Sequence, residues 1–286
     1  MSAENIRVGF IGLGSQGGPI ARRIIDAGYP VTLWARRPAT LEPYAGTPAK
    51  IAGSPAELAT AADLVCLCVV ADADVEEVIT GSAGVLAGLR SGGVIAVHST
   101  VHPDTCRRLA ARARAQGVRL IDAPVSGGAP AAAAGHLLVM AGGDEQDVEY
   151  CRPVFATYGD PVVHLGPVGA GQVTKLLNNV LFTAHLGTAA SLLGLGRDLG
   201  VDPLRLADVI SHGSGNSFAL ERVASAGGTI DRIAPIAGPL LRKDVSLIAG
   251  LAEAAGAPAG SAGVCQRAKT LLAAADDALA LMNAER

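Results

Sequence analysis

Residues 8–20 read Val-Gly-Phe-Ile-Gly-Leu-Gly-Ser-Gln-Gly-Gly-Pro-Ile, an apolar run followed by Gly12-x-Gly14-x-x-Gly17 and the opening of a helical pattern. The order of strand, glycine turn and helix gives the spacing its meaning, since a glycine-rich turn alone says little in a chain of 36 glycines. The first glycine makes the tight turn and the second lets the backbone approach a pyrophosphate. The third packs helix against strand, with the helix N-terminus facing the anion. Placed at the first strand of the chain, the stretch predicts a βαβ unit that holds a dinucleotide.

Downstream, short β-branched runs alternate with amphipathic stretches. Val31–Trp34, Leu64–Val70, Val94–His98 and Arg119–Ile121 read as strands, and Pro19–Ala27, Ser54–Ala61 and Pro103–Gln116 as helices. This alternation implies right-handed crossovers and a Rossmann-type, doubly wound, mainly parallel sheet of the α/β class. Leu137–Ala141 and Val162–Leu165 flank a helical stretch, Glu145–Tyr158, and are expected to extend the same sheet. After Gly166 the strand signal stops. Helical spacing over 171–197, near 203–211, over 239–255 and over 260–283 predicts an all-helical second domain. The expected domains are 1–166 and 167–286, the second beginning with a long junction helix.

Composition narrows the function. Half of the 286 residues are apolar and 17% are charged, which suits a well-buried interior and argues against disorder. A net charge of −3 and 3% aromatic residues leave no basic stripe or stacking platform for nucleic acid and no attraction to an anionic membrane. The N-terminus lacks the basic-then-apolar pattern of a secretory signal, and no run of about 18 purely apolar residues marks a membrane span. Val180–Leu195 comes nearest, but His185 and its Gly, Ser and Thr residues suit a buried helix. The five cysteines, two of them as Cys66-x-Cys68 in an apolar strand, read as reduced core thiols, and hence as a cytoplasmic protein. The six histidines show no ligand spacing, so no metal is expected.

The second strand bears on cofactor choice. A site for NAD usually ends this strand with an acid for the ribose 2′-hydroxyl, whereas here Trp34-Ala35-Arg36-Arg37 offers two guanidinium groups and no carboxylate. Arg36 and Arg37 could grip a 2′-phosphate by charged hydrogen bonds, which favours NADP(H) with NAD(H) possible; the other reading is a solvated basic turn.

Three later segments carry chemistry. In Asp122-Ala123-Pro124-Val125-Ser126-Gly127-Gly128, a hydroxyl and two unobstructed backbone N–H groups suit a carboxylate, or else make a structural turn. In Gly169-Ala170-Gly171-Gln172-Val173-Thr174-Lys175-Leu176-Leu177-Asn178-Asn179, Lys175 and Asn179 share one helix face. A lysine on a buried helix must be paired or have a lowered pKa, which makes it a usable general acid/base; the alternative is a solvated surface charge. Lys243-Asp244 lies within apolar periodicity and reads as a salt bridge on a wet helix face.

Together these motifs resemble the β-hydroxyacid dehydrogenase family, which includes 3-hydroxyisobutyrate and 6-phosphogluconate dehydrogenases, nearest its 3-hydroxyisobutyrate and semialdehyde/glyoxylate reductase branch. The likeness runs through GFIGLGSQG near the start, STVHPDT at 99–105, DAPVSGG at 122–128, GAGQVTKLLNN at 169–179 and LLRKD at 240–244. The resemblance implies that Lys175 is the catalytic acid/base, that Ser126, Gly127 and Gly128 hold a substrate carboxylate, and that Asn179 orients the substrate. It implies a cofactor held by Gly12, Leu13, Gly14, Gln16 and Gly17, and lined by Val69, Val70, Asp74, Thr100 and Lys243. It also implies a homodimer or homotetramer and a small carboxylate-bearing substrate. The chain departs from the family at Gln16, where methionine is usual, and at His98 and His102, which flank Ser99-Thr100. A further departure is the Ala190–Gly194 stretch, which lacks the usual glutamate. The expected activity is NADP-dependent interconversion of a small 3-hydroxy acid and its semialdehyde or keto acid. Rival readings are an NADPH-dependent imine reductase, which usually carries an acid or tyrosine in place of Lys175, and a non-catalytic NADP-binding module.

Overall fold

The computed structural model describes residues 6–256 and 262–284. The chain divides into two compact units, Met1–Lys175 and Leu176–Arg286, with the boundary inside one helix and past the expected division at residue 166.

The first unit is built on a six-stranded parallel sheet. Its strands are β1 (Val8–Ile11), β2 (Val31–Trp34), β3 (Lys50–Ile51), β4 (Leu64–Leu67), β5 (Val94–Val97) and β6 (Arg119–Asp122), in the order β3-β2-β1-β4-β5-β6. β1, β4 and β5 are buried along their whole length, which explains why they read as unbroken apolar runs rather than as alternating strands. Helices α1 (Gly17–Asp26), α2 (Pro55–Thr60), α3 (Asp72–Thr80) and α4 (Pro103–Arg114) are the crossovers. Two apolar cores cover the sheet, one including Phe10, Ile20, Ile24 and Leu33, the other Ile11, Leu58, Ile79 and Val97. Ile20, Ala21, Ile24 and Ile25 form the buried stripe of α1, at the spacing a helix needs.

β4 ends at Leu67, three residues short of the expected Val70. Cys68 still donates to the Ile11 carbonyl, but the Val69 N–H is taken by the Ser99 hydroxyl at 2.8 Å, so the ladder stops. The expectation that Leu137–Ala141 and Val162–Leu165 extend the main sheet is corrected. β7 (Val125–Ser126), β8 (Leu137–Ala141) and β9 (Gly159–His164) make a separate three-stranded sheet. Pro124 has no N–H to continue a ladder, so the chain turns after β6 and pairs antiparallel with β8. The two sheets touch at a single bridge, Asp122 with Gly142. Helices α5 (Gly128–Ala134) and α6 (Glu145–Phe155) complete the unit.

α7 (Ala170–Asp198) begins in the first unit and runs on into the second, which adds α8 (Pro203–Ser211), α9 (Phe218–Ser225), α10 (Ala234–Gly256) and α11 (Ala262–Ala284). Residues 260 and 261 of the last expected helix lie outside the described residues. Asp202 and Ser217 cap α8 and α9 by accepting from the N–H groups of Arg205 and Leu220. The core of this unit includes Leu176, Val180, Leu193, Val223, Leu241 and Leu279. Gly187 lets α7 and α11 meet closely, since a Cβ there would come within 2.5 Å of Ala278 Cβ. By length and composition α7 is apolar enough to cross a membrane, yet half of that window is buried within the protein, as a core helix requires.

Candidate active site

A parallel sheet delivers every strand's carboxyl end to one edge, and the loops there line the crevice at the point where strand order reverses. Here that point lies between β1 and β4. Gly12–Gly17 follows β1, Arg36 and Arg37 follow β2, and Val69, Val70 and Asp74 follow β4. Thr100 follows β5, and Ser126–Gly128 follows β6. All these residues, named from widely separated segments, stand on the loops that leave those strands or in the first residues of the elements that follow.

The glycines divide by role. Gly12 has φ +99°, and a Cβ on it would lie 2.2 Å from the Cys68 carbonyl oxygen; one on Gly17 would lie 1.9 Å from the Gly12 oxygen. These two close the turn against β4 and α1. Gly14 is exposed, and a Cβ there would meet nothing within 4 Å. Its missing side chain leaves open space at the turn, the cradle a phosphate group needs. Gln16 precedes α1, and its Nε2 is buried without a hydrogen-bond partner. Leu13 is buried under the turn. The residues present therefore fit a bound pyrophosphate.

Arg36 is 78% exposed on its side chain and reaches Asp74 Oδ1 at 3.2 Å, while Asp74 Oδ2 accepts from the Ala71 N–H at the start of α3. Two residues singled out separately in the sequence are thus brought together, with most of the guanidinium facing solvent. Arg37 is exposed beside it in the chain. Val70 leaves 66% of its surface exposed at the carboxyl end of β4, an apolar face suited to covering by a flat ligand.

In the segment after β6, Gly127 and Gly128 have φ of +128° and +75°, conformations that side chains rarely adopt. The turn therefore presents Ser126 and bare backbone. Asp122, the last residue of β6, is fully buried. Its Oδ1 accepts from the Gly169 N–H at 2.6 Å and its Oδ2 from the Gln172 N–H at 2.8 Å, so that it caps α7 from another strand. Burial pushes its carboxyl up to about 6, against the two N–H groups, which hold it down. The Gln172 side chain, also fully buried, donates to the Ser99 carbonyl at 2.8 Å and accepts from the Val101 N–H at 3.1 Å. One turn along the same helix stands Lys175, 8% exposed. The reading of Lys175 as a solvated surface charge is thereby excluded.

Sequence reasoning missed Asp122 and Gln172. The available signal was a helix opening Gly169-Ala170-Gly171, which has no local capping side chain and must be capped from elsewhere.

In the second unit, Asn179 Nδ2 donates to Asp244 Oδ2 at 2.6 Å, and Lys243 Nζ lies 3.3 Å from Asp244 Oδ1. Asp244 is buried, so this is not the wet-face pair the sequence suggested. It is an anchor that orients Asn179 from one side and Lys243 from the other.

The two unusual histidines are structural. His98 is buried, with Nδ1 2.6 Å from the Ala123 carbonyl and Nε2 3.1 Å from the Tyr158 hydroxyl, and burial lowers its pKa to about 4. His102 caps α4, accepting from the Asp104 N–H at 3.1 Å. Burial raises the thiols of Cys66, Cys68, Cys106 and Cys151, which makes them inert rather than nucleophilic; the side chain of Cys265 lies outside the described residues. Among the described residues no group of His, Cys, Asp and Glu could hold a metal.

Comparison with known proteins bears on the whole chain. Residues 7–166 match the NAD-binding domain of 6-phosphogluconate dehydrogenase, and residues 169–282 match the family described as NAD-binding of NADP-dependent 3-hydroxyisobutyrate dehydrogenase. An NAD-dependent L-serine dehydrogenase of Pseudomonas aeruginosa is 33% identical over 264 residues, 89% of each chain. The mitochondrial 3-hydroxyisobutyrate dehydrogenase of Rattus norvegicus is 32% identical over 231 residues, 81% of this chain and 69% of that one. A solved structure of Mycobacterium tuberculosis 3-hydroxyisobutyrate dehydrogenase with L-serine superposes with a TM-score of 0.79 at 27% identity, covering 99% of both chains.

Proposed function

The chain belongs to the β-hydroxyacid dehydrogenase family, and from that premise we propose that it is an NADP-dependent oxidoreductase interconverting a small 3-hydroxy acid and its semialdehyde or keto acid. The observation that carries this reading is the buried Lys175, on a helix capped by the residue that opens the Asp122–Gly128 segment. Nicotinamide, when bound, supplies or takes the hydride. The chain's own groups do the rest. Ser126, Gly127 and Gly128 hold the substrate carboxylate and so fix the carbon that reacts. In reduction Lys175 gives a proton from Nζ to the developing alkoxide; in oxidation it accepts the hydroxyl proton. Asn179, held by Asp244, steadies the substrate hydroxyl.

Gly12, Leu13, Gly14, Gln16 and Gly17 would hold the pyrophosphate, with Val69, Val70, Thr100 and Lys243 lining the cofactor. Arg36 and Arg37 would hold the 2′-phosphate, with Asp74 setting the angle of the Arg36 fork. The substrate class is supported by relatives named for L-serine and 3-hydroxyisobutyrate, both 3-hydroxy acids. A lysine at position 175 weighs against imine reduction. A self-association into a dimer or tetramer, in the cytoplasm, completes the reading; Leu181, Leu192 and Leu195 form an exposed apolar stripe on α7, continued by Leu199 just past its end, that a second copy would cover.

The deciding experiment is a panel of L-serine, 3-hydroxypropanoate, 3-hydroxyisobutyrate and malonate semialdehyde, each assayed with NADP(H) and NAD(H). Turnover of at least one, faster with NADP(H), is expected. Equal or faster rates with NAD(H) remove Arg36 and Arg37 from phosphate recognition, and turnover of none removes the reaction.

A further inference from the structure

We infer that Asp122 is a positioning residue for this reaction: by holding the first N–H groups of α7, it sets where Lys175 stands relative to the Ser126–Gly128 turn and the Ser99–Val101 segment. The inference rests on the acid/base role proposed for Lys175.

A helix is ordinarily capped by a side chain at its own N-terminus. α7 has none, because Gly169 and Ala170 carry nothing that accepts a hydrogen bond. The carboxylate of β6 supplies both bonds instead, one oxygen to each N–H. There is little slack in this junction. A Cβ on Gly171 would lie 2.3 Å from the Met140 carbonyl oxygen, and one on Gly142 would lie 2.6 Å from Asp122 Oδ1. Gln172 then links the same turn of helix to the β5 loop, bonding both Ser99 and Val101. Lys175 is three residues on, close to the face of Gln172, so a shift at the capped end carries it along as part of one rigid element. Because β6 runs directly into Ser126–Gly128, Asp122 joins the proposed carboxylate holder to the proposed proton carrier.

The junction is also sensitive to protonation. Burial brings the Asp122 carboxyl to about 6, and the charged or titratable groups that face it among the described residues include Arg107 and Cys106 on α4. His98, bonded to the next residue's carbonyl, is neutral in that range. A proton on Asp122 turns one acceptor oxygen into a donor and releases half of the cap. Reduction consumes the Lys175 proton, so added acid does not deplete it. An acid limb in reductive kcat that Asp122→Asn abolishes is therefore assigned to Asp122.

The test compares wild type with Asp122→Asn as full chains. Reductive kcat at saturating malonate semialdehyde and NADPH is followed from pH 8 to 5, NADPH affinity by fluorescence titration, and amide exchange over residues 167–176. In the variant, kcat should fall roughly tenfold to a hundredfold. NADPH affinity should stay within about twofold, the segment should exchange faster, and the acid limb near pH 6 should disappear. Wild-type exchange in the segment, or faster exchange with wild-type kcat and an intact acid limb, overturns the positioning role. Should the variant not fold, the wild-type chain still decides: protection of Gly169 and Gln172, corrected for intrinsic exchange, must fall below about pH 6, and constant protection overturns the inference. No reduction by the wild type would instead strike the reaction itself, and this role with it, while the exchange data would still report the cap.

Discussion

Lys175 and Arg36 show how the same charge takes different work from its surroundings. The first is buried on a helix; the second projects into solvent beside Asp74. Because a guanidinium fork grips a phosphate through two bonds, Arg36→Ala should raise the KM for NADPH about tenfold. The KM for NADH should change little, and steady-state kinetics with each cofactor read the difference. His98 and Asp122 pull stability in opposite directions with pH. His98 stays neutral in the folded state down to about 4 but takes a proton near 6.5 when unfolded, so stability is lost as pH falls through that window. Asp122 has a folded value of about 6 against 3.8, so the folded state binds its proton first and gains stability over nearly the same range. Asp122→Asn should unmask the His98 loss, on the order of 3 kcal/mol between pH 6.5 and 4 in denaturant titrations, where the wild type stays nearly flat. Lys175, Arg36 and the glycines were legible as candidates from residue type and spacing, with their roles coming from the motif resemblance. His98 was not, because its role depends on Tyr158 and Ala123, which are distant in the chain.

Five of the six strands of the parallel sheet were readable to within a residue or two at most ends, since each is a short apolar run bounded by turn residues; β3, two exposed residues at the sheet edge, carries no such run and was missed. The second sheet was not readable, because apolar character alone does not say which edge a strand pairs with. Pro124 held that information, in a backbone that cannot donate. The glycine turn after β1 offers a test at this level. Gly14→Ala should fold with an unchanged melting temperature yet weaken NADPH binding by about tenfold, because its Cβ would occupy the phosphate's space and nothing else. Gly12→Ala should lower the melting temperature, since its Cβ would meet the Cys68 carbonyl and its φ is positive. Thermal melts beside cofactor titrations separate the two. Equal behaviour of both variants would contradict the division of roles.

For the molecule as a whole, the motif order along the chain carried the family. Spacing paired Lys243 with its neighbour Asp244 but could not tell that Asp244 is buried and also holds Asn179, because that bond joins residues far apart in the chain. The exposed stripe on α7 predicts that Leu192→Glu with Leu195→Glu shifts the assembly toward monomer in light scattering. An unchanged mass would place the interface elsewhere. The central claim concerns a proton rather than an assembly. It is tested most directly by Lys175→Ala, with NADPH affinity and single-turnover hydride transfer to malonate semialdehyde measured on the same preparation. Transfer should slow by about 10³-fold or more while NADPH binds as in the wild type; wild-type transfer rates would contradict the account.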